Sequence, residues 1–196
     1  MNKSMLIPLL VFSLLLPFGT LSATTIPIDL TKFYADTTVG VALDGSSATL
    51  YEDQDLITVL LSNDPFFGEP GIPVPLGLLT LAFNYSFSEG GNNGDNFYAK
   101  VFDEVTGGIV KDFSLDSTGA GGVSWDLTGI DPKIKLLGLE FQLNSNDSFF
   151  DSFVNVNTVQ MEAGTAAVPE PSTLILLGSG LAGLLGMGRK KLLHRS

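Results

Sequence analysis

Cysteine is absent from this chain of 196 residues, and histidine occurs once, at His194 among the last residues. Without a thiol there is no disulfide, no thiolate metal site, no cysteine nucleophile and no lipoprotein anchor through an N-terminal cysteine. Without an imidazole ahead of the tail, Ser-His-Asp hydrolysis, histidine general-base chemistry and His-ligated zinc or iron are excluded as well. Positive charge is scarce: 10 Lys and Arg stand against 21 Asp and Glu, a formal net charge of -11. Between Thr24 and Gly164 the bases are Lys32, Lys100, Lys111, Lys133 and Lys135, facing 20 acids for a net -15. Such a body repels phosphate backbones and anionic lipid, so nucleic acid is not an expected partner.

Helical periodicity is missing too. No segment from residue 24 to 160 sustains a 3.6-residue apolar period with caps. What is there instead is a series of short β-type runs separated by Gly, Asn, Asp and Pro: Ala48 to Tyr51, Leu56 to Leu61, Gly77 to Phe87, Asn96 to Asp103, Ile109 to Leu115, Gly122 to Leu127, Lys135 to Leu143 and Phe153 to Met161. LTLAFNYSF alternates strictly, with Leu79, Leu81, Phe83, Tyr85 and Phe87 on one face and Thr80, Ala82, Asn84 and Ser86 on the other. Eight or so such strands predict an all-β, jelly-roll-like sandwich. The stretch from Asn63 to Gly77 carries Pro65, Pro70, Pro73 and Pro75, which excludes a central strand.

Candidate ligand groups on this body are few. Trp125, the only tryptophan, shares a face with Val123 and Leu127, which favours a core role over a sugar platform; Tyr98 and Phe67 are the other aromatics to consider for carbohydrate. Two loops are rich in oxygen donors. SEGGNNGDN offers Asn92, Asn93, Asp95 and Asn96 without matching the EF-hand pattern. NSNDSFFDS contributes Asp147 and Asp151, which meet Asp44, Glu52 or Asp53 if the first and last strands pair, giving a candidate calcium set of Asp44, Glu52, Asp147 and Asp151. Solvated acidic loops are the plainer reading of the same residues. No carboxylate pair stands out as a glycosidase dyad, and the glycines of STGAGG (Ser117 to Gly122) neither open a helix nor carry a P-loop lysine. The body is therefore expected to be non-enzymatic.

The long hydrophobic runs lie at the two ends. The N-terminus has Lys3, an apolar stretch from Leu6 to Leu16 and small residues Ser22 and Ala23, the layout of a secretory signal peptide cut by signal peptidase after Ala23. Pro8 and Pro17 work against a permanent span. At the other end stand Val168, Pro169, Glu170, Pro171 and Ser172, then an apolar run from Leu174 to Met187, then Arg189, Lys190 and Lys191. Fourteen helical residues cover roughly 21 Å against a hydrocarbon core of ~30 Å, and Gly178, Gly180, Gly183 and Gly186 weaken the run further. The basic cluster keeps the extreme C-terminus cytoplasmic, so the acidic body lies outside.

This tripartite tail, VPEPSTLILLGSGLAGLLGMGRKK, resembles the PEP-CTERM sorting signal of exported bacterial proteins; its basic cluster mixes Lys with Arg where an Arg-rich end is more usual. The resemblance implies recognition of the PEP tripeptide by an exosortase, with transient membrane tethering before cleavage. It covers about the last 30 residues and carries no activity over to the body. The expected organisation is a signal peptide at 1–23, a β-sandwich at 24–162, a linker at 163–167 and a sorting signal with a short hydrophobic helix at 168–196. The expected role is that of an exported surface or matrix protein, structural or adhesive, whose acidic body binds divalent cations that bridge anionic polysaccharide; the alternative is a carbohydrate-binding module acting on exopolysaccharide.

Overall fold

A computed structural model describes residues 23–53, 57–62, 71–90, 94–146 and 150–164, together with 176, 179 and 180. Its strands are β1 (Ala23–Pro27), β2 (Tyr34–Ala35), β3 (Val39–Val41), β4 (Ser47–Tyr51), β5 (Ile57–Leu61), β6 (Ile72–Pro73), β7 (Leu78–Ser88), β8 (Asn96–Asp103), β9 (Ile109–Leu115), β10 (Gly119–Asp126), β11 (Leu136–Asn144) and β12 (Phe153–Gly164). All eight expected strands form, most within a residue or two of their expected bounds. The departures have local causes. β10 starts at Gly119 rather than Gly122, because its glycines make room for neighbours: a Cβ on Gly121 or Gly122 would press on Tyr85 Oη or Asn84 Oδ1, at 3.3 and 2.9 Å. β6 is a two-residue pairing beside β11, short enough for Pro73 to sit there without a donor.

Two antiparallel sheets result. One runs β10-β7-β12-β4-β3 with β1 on the remaining length of β12; the other runs β2-β5-β11-β8-β9 with β6 on β11. If β4, β5 and β7 to β12 are counted as strands one to eight, the sheets read six-three-eight-one and two-seven-four-five. That order is the jelly roll, two Greek keys wrapped into a sandwich.

Alternation explains why the sheets close on each other. On β7, Leu81, Phe83 and Phe87 are buried while Asn84 and Ser86 are exposed; on β12, Val154 and Val156 point inward between half-buried Asn155 and Asn157. Phe83 is the centre of the core, meeting Phe141 at 5.1 Å, Trp125 at 5.3 Å, Phe97 at 6.4 Å and Phe113 at 6.5 Å between ring centroids. All four contacts are edge-on, the arrangement that ring quadrupoles favour.

The chain divides into two units, Ser22–Ala166 and a second made of Met1–Leu21 with Ala167–Ser196. The first holds the sandwich. In the second, Leu176, Ser179 and Gly180 are helical, with Ser179 Oγ donating to the Leu176 carbonyl at 3.0 Å. Among the described residues no helix is long and apolar enough to cross a membrane; most of the expected hydrophobic helix lies outside them.

Candidate functional site

Three carboxylates from three chain segments meet at one end of the sandwich. Glu52 follows β4, Asp95 precedes β8 and Asp151 precedes β12. Register brings them there. Tyr51 lies opposite Phe153 across β4 and β12, which sets Glu52 beside Asp151 and Ser152. Asn96 lies opposite Asn144 across β8 and β11, which sets Asp95 beside the segment that leaves β11.

Hydrogen bonds lock the arrangement. Glu52 Oε2 accepts from the backbone N–H groups of Asp151 and Ser152, both at 2.7 Å, and the Glu52 N–H donates to the Ser152 carbonyl at 3.3 Å. Asp95 Oδ1 accepts from the Asn146 N–H at 2.7 Å, and its Oδ2 accepts from Ser152 Oγ at 2.6 Å. Ser152 Oγ in turn accepts from the Gly90 N–H at 2.8 Å. The Asp151 carboxylate lies where a side chain on Gly90 would begin, so only glycine fits at that position.

Glu52 is 6% exposed and Asp95 is fully buried. Burial pushes the Glu52 carboxyl above its ordinary range, and the Asp95 charge pushes the same way; the N–H donors of Ser152 and Asp151 and a bond to Ser145 act against them. Glu52 Oε1, the oxygen that the two backbone donors leave over, is buried without a partner. One carboxylate oxygen from each of Glu52, Asp95 and Asp151 lies within 4.8 Å of the others.

Of the expected calcium set, the structure brings Glu52 and Asp151 together. Asp44 is not with them: it precedes β4, whose five residues span roughly 17 Å at about 3.4 Å per residue, and sits in a turn where its Oδ1 accepts from Ser46 N–H and Oγ at 3.1 and 2.7 Å. Asp147 lies outside the described residues. Asp95 was expected only as a donor of its own loop, and the sequence separates it from Glu52 and Asp151 by more than 40 residues on either side.

The aromatic candidates fall in different places. Trp125 is 6% exposed and packs on Phe83, so it is core and offers no ring face to a sugar. Tyr98 lies on the outer face of the β8–β11 sheet; burial and the nearby charges of Asp112 and Glu140 raise its hydroxyl pKa. Phe67 and the tail residues Val168, Pro169, Glu170, Pro171, Ser172, Arg189, Lys190 and Lys191 lie outside the described residues.

Sequence reasoning missed a different aromatic pair. Tyr51 and Phe153, 53% and 41% exposed, stand side by side on the outer face of the other sheet with ring centroids 6.3 Å apart. Beside them the same face carries uncharged rows: Ser86, Asn155 and Thr49 in register, then Asn84, Asn157 and Ser47. Asn157 Nδ2 donates to Asn155 Oδ1 at 3.1 Å and Asn155 Nδ2 donates to Thr49 Oγ1 at 3.0 Å. The rows end in a cavity of about 480 Å³ lined by residues that include Ser46, Asn157, Thr158 and Gln160. Thr158 holds a left-handed φ of 53°, costly for a β-branched residue, at the bulge that shifts β12 against β7. The cross-strand neighbours Tyr51 and Phe153 are legible only once the β4–β12 register is known.

Comparison with known proteins decides the tail. Residues 167–191 match the family model of the PEP-CTERM protein-sorting motif. The chain ends in a PEP-CTERM motif. No curated protein matches it in sequence. Among solved structures it is similar to the agarase AgWH50C, with TM-score 0.46, 11% identity and coverage of 74% of this chain and 25% of that one. It thus spans about a quarter of that agarase chain. It is also similar to TmCBM61, solved in complex with beta-1,4-galactotriose, with TM-score 0.40, 11% identity and coverage of 66% and 85%. A third similarity is to the CBM22-1-GH10 modules of xylanase 10B from Clostridium thermocellum, with TM-score 0.42, 12% identity and coverage of 76% and 29%. The assignments that follow rest on this chain's own residues.

Proposed function

We propose that this PEP-CTERM protein is exported, trimmed at both ends by signal peptidase and an exosortase, and retained at the cell surface or in the extracellular matrix as a non-enzymatic adhesive component. The body contacts neutral exopolysaccharide through the outer face of the β4–β12–β7 sheet. The observation that carries this reading is the exposed Tyr51–Phe153 pair beside rows of amides and hydroxyls. Ring faces stack on the C–H faces of sugars, and amides oriented by their neighbours supply donors and acceptors to hydroxyls. The central rows carry no charge, which suits an uncharged, hydroxyl-rich chain. From Phe153 to Asn157 the face runs about 14 Å along β12, at ~3.4 Å per residue, an extended track for a linear polymer.

The test has two readouts on protein recovered from its host. Intact mass should show loss of residues 1–23 and of everything after the PEP region, the second only when the exosortase is present; a C-terminus retaining Arg195 and Ser196 both in the native host and in one lacking the exosortase would overturn the sorting part. Retention on the host's exopolysaccharide should weaken on the order of tenfold in Tyr51→Ala and further in the double variant with Phe153→Ala. Unchanged retention in the double variant would overturn the proposed face.

A further inference from the structure

The structure assigns a divalent-cation site, selective for calcium, to Glu52, Asp95 and Asp151. A cluster of acids alone would not carry this, since exposed acids gather on many surfaces. The deciding feature is Glu52 Oε1: the residue is 6% exposed, its other oxygen is taken up by two backbone N–H groups, and Oε1 is left buried with no partner. Leaving such an oxygen unsatisfied is costly, and more so beside two further carboxylates. Among the described residues the ion pairs are Lys32–Asp29 and Lys100–Glu140, so no lysine or arginine of the described body neutralises the cluster.

A water molecule satisfies a lone pair but leaves the accumulated negative charge, whereas a divalent cation answers both. The donors are all hard oxygens, which disfavours zinc and copper. Coordination habit favours calcium over magnesium, because calcium accepts six to eight oxygens in irregular shells such as carboxylates fixed by a fold present. Calcium sits at roughly 2.3–2.6 Å from its oxygens, so opposite ligands stand up to about 5 Å apart, a shell that takes in oxygens within 4.8 Å of one another. Magnesium, at about 2.0–2.1 Å, demands near-ideal octahedral order and keeps several of its waters. The cradle is also built in advance: Ser152 links Asp95 to Gly90, and the missing Gly90 side chain admits the Asp151 carboxylate.

The site ties the entry of β12 to the exit of β4 and the start of β8, and so clamps three strand ends that chain connectivity leaves far apart. The assignment does not rest on the polysaccharide reading. The experiment is calorimetric titration of calcium chloride into the protein purified from its host and freed of metal with a chelator, with thermal melting alongside. One site per chain is expected, in the 0.1–1 mM range typical of extracellular modules, give or take about tenfold, with a rise in melting temperature at saturating calcium. Asp151→Asn, at an exposed position that leaves the core intact, should weaken binding at least about tenfold. Glu52→Gln should abolish it while keeping an acceptor for the two N–H groups. Asp44→Asn should bind as wild type does. The assignment is overturned by the absence of both heat and a melting shift at 10 mM calcium, by wild-type affinity in both Asp151→Asn and Glu52→Gln, or by magnesium binding as tightly as calcium.

Discussion

Carboxylates do two different jobs in the two kinds of loop that this sandwich contains. In the turns at Asp29, Asp44 and Asp126, a carboxylate oxygen accepts from the N–H and the hydroxyl of a Ser or Thr two residues on, all at 2.6–3.1 Å. Those hydrogen bonds hold the three carboxyls below their ordinary value. Each such turn is closed within three residues. At the Glu52, Asp95 and Asp151 centre the partners come from up to 100 residues away, two of the carboxylates are buried, and one oxygen is left over. The lesson is that an aspartate with a local partner is finished chemistry, while a carboxylate whose donors are all distant reports on tertiary structure and on what else must bind there.

Breaking the long-range set should cost most. Glu52→Ala strands the buried Ser152 N–H and the half-buried Asp151 N–H and should lower stability by about 3 kcal/mol in chemical unfolding. Asp44→Ala disturbs one exposed turn and should fall far short of that; equal losses would erase the distinction drawn here. Next comes Gly90→Ala, which drives a methyl group into the Asp151 carboxylate and should cost roughly 1–3 kcal/mol while weakening the calcium response. If Gly90→Ala melts like wild type, the cradle is looser than described. Calcium removal should also weaken polysaccharide retention, because Tyr51 and Phe153 are the chain neighbours of Glu52 and Ser152.

A smaller effect sharpens the contrast within two adjacent residues. Thr106 holds the Asp103 carboxyl below 3.8, first through its hydroxyl and with a further contribution from the Val105 N–H, whereas burial and then the Asp103 charge lift Glu104 above 4.5. Glu104 Oε2 is buried without a partner, and the carboxylate lies against Gly71. A depressed carboxyl adds stability above its unfolded value and loses it as pH falls through its folded one; a raised carboxyl costs stability at neutral pH and stops costing below its unfolded value. Glu104→Gln should therefore melt above wild type near pH 7, by on the order of 1 kcal/mol, with no difference below about pH 4.5. Asp103→Asn should melt below wild type near pH 7, and the difference should close as pH drops under 3.8. Slopes of the same sign in both variants would break the comparison.

The jelly roll was readable because several major strands alternate, as LTLAFNYSF does, and because glycine, asparagine and proline clusters punctuate the runs. β1, β2, β3 and β6 were not, being two to five residues long and held by pairing rather than by pattern. The tail was readable because its three parts are contiguous. Two of the three carboxylates of the acidic centre were legible: pairing the first and last long strands brings Glu52 to Asp151. Asp95 was out of reach because its place depends on the β8–β11 register. The inclusion of Asp44 ignored a local signal, the D-x-S spacing of Asp44 and Ser46, which marks a self-contained turn. Trp125 was legible as core from Val123 and Leu127 on its own face, whereas the Tyr51–Phe153 pair was not, because which residues stand opposite across β4 and β12 is set by a register that no single run discloses.

The most direct test of the account is an anomalous-scattering map from crystals of the host-purified protein grown with calcium. The account requires one peak between Glu52 Oε1, Asp95 and Asp151, roughly 2.3–2.6 Å from each carboxylate. A map with no peak there, or with calcium at the turns of Asp29, Asp44 or Asp126 instead, would contradict it.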